Sequence, residues 1–442
     1  MTNRSIEKQN KKDKTATSEH IQDGKDGLRV NKLKGKVSWN KTFAALKHRN
    51  YRLWFWGQMT SLVGSWMQTT AQGYLIFQLT HSPAFLGYVG FASGIPAWLF
   101  MLYGGVIADR VPRRTVLMIT QSFMMILAMI LAVLTFTNTV QPWHIILLAF
   151  GLGVANAFDS PARQAFVLEL IEGREDLVNA IALNSTMFNS ATAIGPAVAG
   201  LTYAAFGPAW CFTINGVSFI GVIIALVMMR IKYEPTERKS KNALAELKEG
   251  MSYVLKSQKI IRTVIILVVF FALFGISFAT LVPAWAVKIL HGNAATNGYL
   301  QSARGLGALI AALFIATVSH LKIKGKLLTF GMLSYPIFLL LFSLVHYLPV
   351  SLILLVAVGM AQILTFNVAN ALIQTLVSDD FRGRVMGIYS IGFFGFMPIG
   401  ALIVGSFAEH MGEPAALIIN STILILVTVL VFFAVPKLKS MP

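Results

Sequence analysis

Between Tyr51 and Val435 the chain is a succession of a dozen apolar blocks, each close to the ~20 residues that carry a helix across hydrocarbon. No water reaches the backbone inside lipid, so such blocks must satisfy their own N–H and C=O groups as helices. The expected spans are 51–79, 83–108, 115–137, 143–166, 180–205, 209–231, 261–287, 296–320, 326–347, 350–376, 385–408 and 414–435. The fold class this predicts is an all-α polytopic membrane protein. Composition agrees, with 55% hydrophobic and 13% charged residues, where a soluble domain carries about 25% charged.

Several function classes fall away. The single cysteine, Cys211, lies inside an apolar block, which excludes internal disulfides and cysteine-ligated metal sites. H-E-x-x-H, G-x-S-x-G and phosphate-loop strings are absent, so neither an enzyme nor a metal or cofactor is expected. The net charge of +18 invites a nucleic-acid reading, but the positions of the basic residues argue otherwise. Fourteen lie from Arg4 to Arg52 and nine from Arg230 to Arg262, and Arg110, Arg113, Arg114, Arg163, Arg174, Lys322, Arg382, Arg384, Lys437 and Lys439 fall on the same side by span counting. That is the positive-inside asymmetry. It predicts a plasma-membrane protein with both termini in the cytoplasm, with anionic lipid heads rather than nucleic acid as the partner of the charge.

The polar stretch from Lys232 to Lys259 divides the spans six and six. The expected organisation is a disordered basic tail over 1–48, a six-helix half over 49–231, a linker over 232–260 and a second six-helix half over 261–436. The linker carries an amphipathic helix near 243–255, expected to lie along the inner surface. Asn156-Ala157-Phe158 in the fourth span is echoed by Phe366-Asn367 and Asn370 in the tenth, and each is followed by a charged turn. Two related halves place a substrate path at their interface near the midplane.

The string Gly104-Gly105-Val106-Ile107-Ala108-Asp109-Arg110-Val111-Pro112-Arg113-Arg114 resembles the loop signature of the major facilitator superfamily, G-x-x-x-D-R-x-x-R-R, after the second helix. The match is more specific to the branch that includes the enterobactin exporter. It rests on Phe43–Leu53, Asp159-Ser160-Pro161-Ala162-Arg163-Gln164-Ala165-Phe166, Asn179-Ala180, Gly195-Pro196 and Arg382-Gly383-Arg384-Val385-Met386-Gly387. The resemblance implies a twelve-helix secondary transporter, expected as a monomer, and the same branch resembles macrolide and other efflux proteins. It also implies a conformational latch of Gly105, Asp109, Arg110, Arg113, Arg114 and Arg163. Asp109 would meet the start of the eleventh helix, whose N-terminal dipole and free N–H groups suit a carboxylate. Gly195, Pro196 and Gly200 resemble the bend motif of proton-coupled exporters, and ordinary Gly and Pro usage in membrane helices is the alternative.

Polar residues at helical spacing are the cavity candidates. Gln58, Ser61, Ser65, Gln68 and Gln72 share a face of the first span, Asn367, Asn370 and Gln374 one of the tenth, and Asn184 and Asn189 supply amides in the fifth. Such stripes hold a substrate loosely or glue helices together. Arg304, well inside the eighth span, is costly in hydrocarbon and reads as a counter-charge to an anionic substrate or as an arginine snorkelling to the interface. The interior acids are Asp109 and Asp159, too few for a cationic drug. Both are candidates for proton coupling, although the i,i+4 spacing of Asp159 to Arg163 equally suggests an ion pair. The expected function is proton-coupled export of a small organic molecule, siderophore-like or otherwise anionic or polar, with broad hydrophobic drug or macrolide efflux as the alternative.

Overall fold

The computed structural model describes residues 43–171, 176–231, 243–256, 259–318 and 323–436. Most of the basic tail, the charged turn of 172–175, the basic part of the linker, Lys322, Lys437 and Lys439 lie outside them. Among the described residues every regular element is helical. The long helices are α1 Arg49–Thr80, α2 Pro83–Arg110, α3 Arg113–Phe136, α4 Pro142–Phe166, α5 Leu177–Phe206 and α6 Pro208–Met228. The linker helix α7 Ala243–Lys256 follows, then α8 Lys259–Ile289, α9 Ala294–Val318, α10 Lys324–Leu344, α11 Leu348–Leu376, α12 Asp379–Met411 and α13 Glu413–Ala434.

Local chemistry sets these boundaries. Proline occupies the first turn of α2, α4, α6, α11 and α13, where its missing N–H removes no helical bond. Gly207 and Gly412, at φ +88° and +82°, make the tight turns from α5 to α6 and from α12 to α13. A left-handed backbone favours glycine at both. The helix α12 starts at Asp379, six residues before its apolar block, because Asp379 and Asp380 suit a helix N-terminus although hydropathy disfavours them. In α8 regular winding ends at Phe270. Wide and tight turns then alternate from Phe271 to Ile289, around Gly275 and Pro283.

Ten of these helices are long and apolar enough to cross a membrane. The other two long ones, α1 and α5, have 32 and 30 residues and carry more polar side chains. Small residues bring the helices close: Gly64 of α1 packs on Asn215 of α6, Gly104 of α2 on the Ala157 carbonyl of α4, and Gly359 of α11 on the Arg304 carbonyl of α9. The linker helix docks on the start of α12, where Glu249 pairs with Arg384 at 3.0 Å and Tyr253 stacks on Phe381 at 4.4 Å.

Candidate functional site

The six helices before the linker meet the six after it along two seams, α2 with α12 and α5 with α9. In the first, a methyl group added at Gly87 would sit 2.8 Å from the Ala401 carbonyl oxygen, and one at Gly405 would sit 2.8 Å from that of Pro83. Gly94 packs on Pro398, and Trp98 on Gly395 and Phe396. In the second, Gly200 approaches Ala294 and Gly298, Pro196 approaches Gly298, and Thr192 approaches Gly305. Both seams occupy the end where α2 and α9 begin. At the other end a Cβ at Gly105, Gly383 or Gly387 would meet nothing within 4 Å. The α2–α12 pair is closed at one end and parted at the other.

A polar cluster stands along the α5–α9 seam, on the first turns of α9. Asn297 is buried and donates to the Thr70 carbonyl of α1 at 3.5 Å, Thr70 Oγ1 donates to Gln301 Oε1 at 3.4 Å, and Gln301 donates to Asn297 Oδ1 at 3.1 Å. One turn further along α9 is Arg304. The helix starts at Ala294, which puts Arg304 about 15 Å along it at 1.5 Å per residue. The helix thus begins no later than its expected start, whereas interface snorkelling calls for a later one. The Arg304 guanidinium donates to Gln362 Oε1 of α11 at 3.4 Å, and its Nε is buried with no hydrogen-bond partner among the described residues. The hydroxyls of Ser302 and Tyr335 are likewise buried and unpaired, and Arg304 and Tyr335 lie close enough to interact electrostatically. Asn297, Gln301 and Arg304 recur at helical spacing, a signal that sequence reading could have taken from α9. Gln362 and Tyr335 gave no such signal.

The stripes named from sequence separate into two kinds. On α1, Gln58, Ser61, Gln68 and Gln72 are buried and Ser65 half-buried, and Gln68 accepts from Asn215 of α6 at 2.6 Å. Gln68 thus ties α1 to α6, while Gln58 Oε1 is buried with no hydrogen-bond partner among the described residues. On α11, Asn367 and Gln374 are exposed, and Asn370 accepts from Gln374 at 2.5 Å. Exposed amides facing hydrocarbon are costly, so this face suits the parted side. On α5, Asn184 is half-buried and Asn189 bonds back to the Ser185 carbonyl. The helix continues unbroken through Pro196. Gly195 packs on Trp66 and Val63 of α1, and Gly200 packs across the seam.

Asp109 is exposed and makes no hydrogen bond or ion pair with a described residue. Arg163 lies 3.5 Å from Asp159 instead. Arg113 pairs with Glu169 at 2.6 Å, and Arg114 caps the end of α6 through the Val227 carbonyl at 3.0 Å, so both brace the first six helices and do not bridge to the others. Arg110 is exposed at the end of α2. Asp159 is 1% exposed and accepts from Thr120 Oγ1 at 2.9 Å and Gln121 Nε2 at 2.8 Å. Three donors satisfy it inside the α3–α4 packing, away from the gap, which favours the ion-pair reading over the proton-carrier one. The segment before α1 and the first turn of α1 dock on the start of α5: Ala45 donates to Asn179 Oδ1 at 2.9 Å, and Tyr51 to the Ala180 carbonyl at 2.9 Å.

Known transporters share this architecture. A POT family transporter in complex with 5-aminolevulinic acid superposes with a TM-score of 0.71 at 12% identity, covering 88% of this chain and 97% of that one. The nucleoside transporter NupG superposes at 0.65 with 16% identity, over 89% and 99%. Likeness at these identities shows the fold alone. By sequence, the Staphyloferrin A transporter of Staphylococcus aureus is 25% identical over 381 residues, 85% of this chain and 94% of its own. The Enterobactin exporter EntS of Shigella boydii is 25% identical over 417 residues, 91% and 96%. The pattern of the transmembrane secretion effector family matches residues 40–441, and the chain belongs to that family of major facilitator transporters.

Proposed function

We propose that this protein exports a small anionic or polar organic molecule, of the siderophore-like kind, across the plasma membrane by alternating access, with protons as the coupling ion. With α1 and α5 counted the chain crosses twelve times in two six-helix halves, acts as a monomer and keeps both termini in the cytoplasm. The positive-inside distribution then makes the parted end cytoplasmic, and the conformation is inward-open. Relatives named for Staphyloferrin A and enterobactin support the substrate class. The carrying observation is Arg304, a guanidinium at mid-helix with one long hydrogen bond and no carboxylate partner among the described residues. A charge in such surroundings persists where something pairs with it, and an anionic substrate supplies the missing charge. Asn367, Asn370, Asn184 and Asn189 supply neutral hydrogen bonds on the way. Of the two proton candidates, exposed Asp109 is better placed than enclosed Asp159.

The test is ligand binding by purified protein carrying Arg304, Arg304→Lys or Arg304→Gln, with a carboxylate compound and its neutral ester. Lysine keeps the charge but loses the planar two-pronged contact, so affinity for the anion should fall in the order Arg, Lys, Gln. The ester should bind all three alike. Equal affinity of the anion across the series would remove the reason for preferring an anionic substrate and leave the broad hydrophobic efflux reading in its place.

A further inference from the structure

Glu409 stands on the last turn of α12, where the helix dipole disfavours a negative charge. Across the seam, α2 begins at Pro83, which has no N–H, and the hydroxyl of Ser82 does not cap its own helix. The two shortcomings cancel. Glu409 Oε2 accepts from Ser82 Oγ at 2.6 Å and from the Ala84 N–H, the first one α2 can offer, at 3.2 Å. A carboxylate misplaced on one helix thus becomes the N-terminal cap of another, and the two helices lie on opposite sides of the pathway. Lys288 and His410 are near enough to add attraction. Lys288 makes a second clasp, 3.0 Å from Glu413 and with its ammonium 5.5 Å from the centre of the Phe77 ring of α1. Glu409 is itself exposed, so water can compete for it and the contact can open.

We propose that Glu409 is the clamp that holds the far mouth of the pathway shut, and that its release from Ser82 and Ala84 precedes opening to that side. This rests on the alternating-access reading but not on the identity of the substrate, because the clamp shifts the balance between states whether or not a ligand is bound. A hydrogen bond to a charged group contributes enough to shift a two-state balance about tenfold when it is made in one state only.

The experiment uses the full chain in inside-out vesicles, with Asn367→Cys as reporter on the exposed face of α11. Native Cys211 is buried and gives little background. The rate of labelling by a membrane-impermeant maleimide reads the inward-open fraction without any substrate. Adding Glu409→Ala should lower that rate several-fold, and Ser82→Ala should lower it less, since one of the two donors remains. Isosteric Glu409→Gln serves the same purpose where the alanine variant yields too little folded protein, and it should give the same direction. Unchanged labelling in both Glu409 variants, at matched amounts of folded protein, would overturn the proposal. A drop in labelling together with flat binding in the Arg304 series would keep the clamp and reject only the anionic substrate.

Discussion

The two ends of the α2–α12 pair carry the same kind of residues and use them differently. At the closed end Gly87 and Gly94 meet Gly405, Ala401 and Pro398 at backbone contact, and a carboxylate from α12 caps the start of α2. At the parted end Gly105 stands on α2 and Gly383 and Gly387 on α12, each facing open space, and Asp109 sits exposed near the finish of α2. A glycine inside a helix costs about 1 kcal/mol against alanine. The closed-end glycines recover this through close packing, and the parted-end glycines recover nothing in this conformation. Under the proposed alternating access their return comes in another state, where the parted ends come together. The arrangement is also antisymmetric: Glu409 of α12 caps α2 here, and Asp109 of α2 would meet the start of α12 there.

The strongest way to break the comparison is to fill one end at a time. Gly405→Val would drive a side chain into the Pro83 carbonyl and Gly87, so it should abolish transport and deplete the inward-open state. A Cβ at Gly387 meets no described atom within 4 Å, so Gly387→Val should fold and accumulate the inward-open state, also without transport. Labelling of Asn367→Cys should therefore fall in the first variant and persist in the second. Movement of both in the same direction would mean that the two ends are not alternatives.

Asp109→Asn probes the parted end more gently. Asp109 has no hydrogen bond or ion pair with a described residue, so stability of the inward-open form should stay within about 0.5 kcal/mol of wild type, as for a featureless surface site. Transport should fall about tenfold, the amount lost when a charge-assisted contact is made in one state only. Transport rates at matched expression decide it, and wild-type rates would remove Asp109 from the cycle.

How legible these ends were in the sequence depends on what each depends on. Span positions follow from apolar length, so most boundaries were readable to a few residues. The early start of α12 was not, because Asp379 and Asp380 stabilise a first turn that hydropathy rejects. The α1 glutamines were readable as a polar face, but periodicity does not say which neighbour that face meets, and Asn215 of α6 proved to be a partner. Arg304 was legible as a costly charge at depth. Ser82 and Glu409 were not legible as a pair, since they are far apart in sequence and each looks like an ordinary helix-end residue until α2 and α12 are side by side. The candidate latch residues were named by resemblance alone, and Arg113 and Arg114 are occupied by Glu169 and Val227, partners the motif does not contain.

The smallest expected effect on turnover sharpens the contrast between the two interior acids. Asp159 is enclosed by Thr120, Gln121 and Arg163 within the first six helices and touches neither seam. Asp159→Asn keeps the volume but removes the charge, turns one carboxylate oxygen into an amide donor facing groups that themselves donate, and leaves Arg163 without its counter-ion. Breaking a buried pair by removing one partner costs about 3 kcal/mol or more, so the variant should melt at a clearly lower temperature. The molecules that remain folded still have an intact gap, an intact clamp and Asp109 in place, so transport per folded molecule should stay within about twofold, a change of under 0.5 kcal/mol in barrier. A proton carrier at this position would give the opposite pattern, with a normal melting temperature and transport that no longer responds to a pH gradient. Thermal melting and gradient-driven transport measured on the same preparation separate the two outcomes, and the second pattern would return Asp159 to the coupling mechanism.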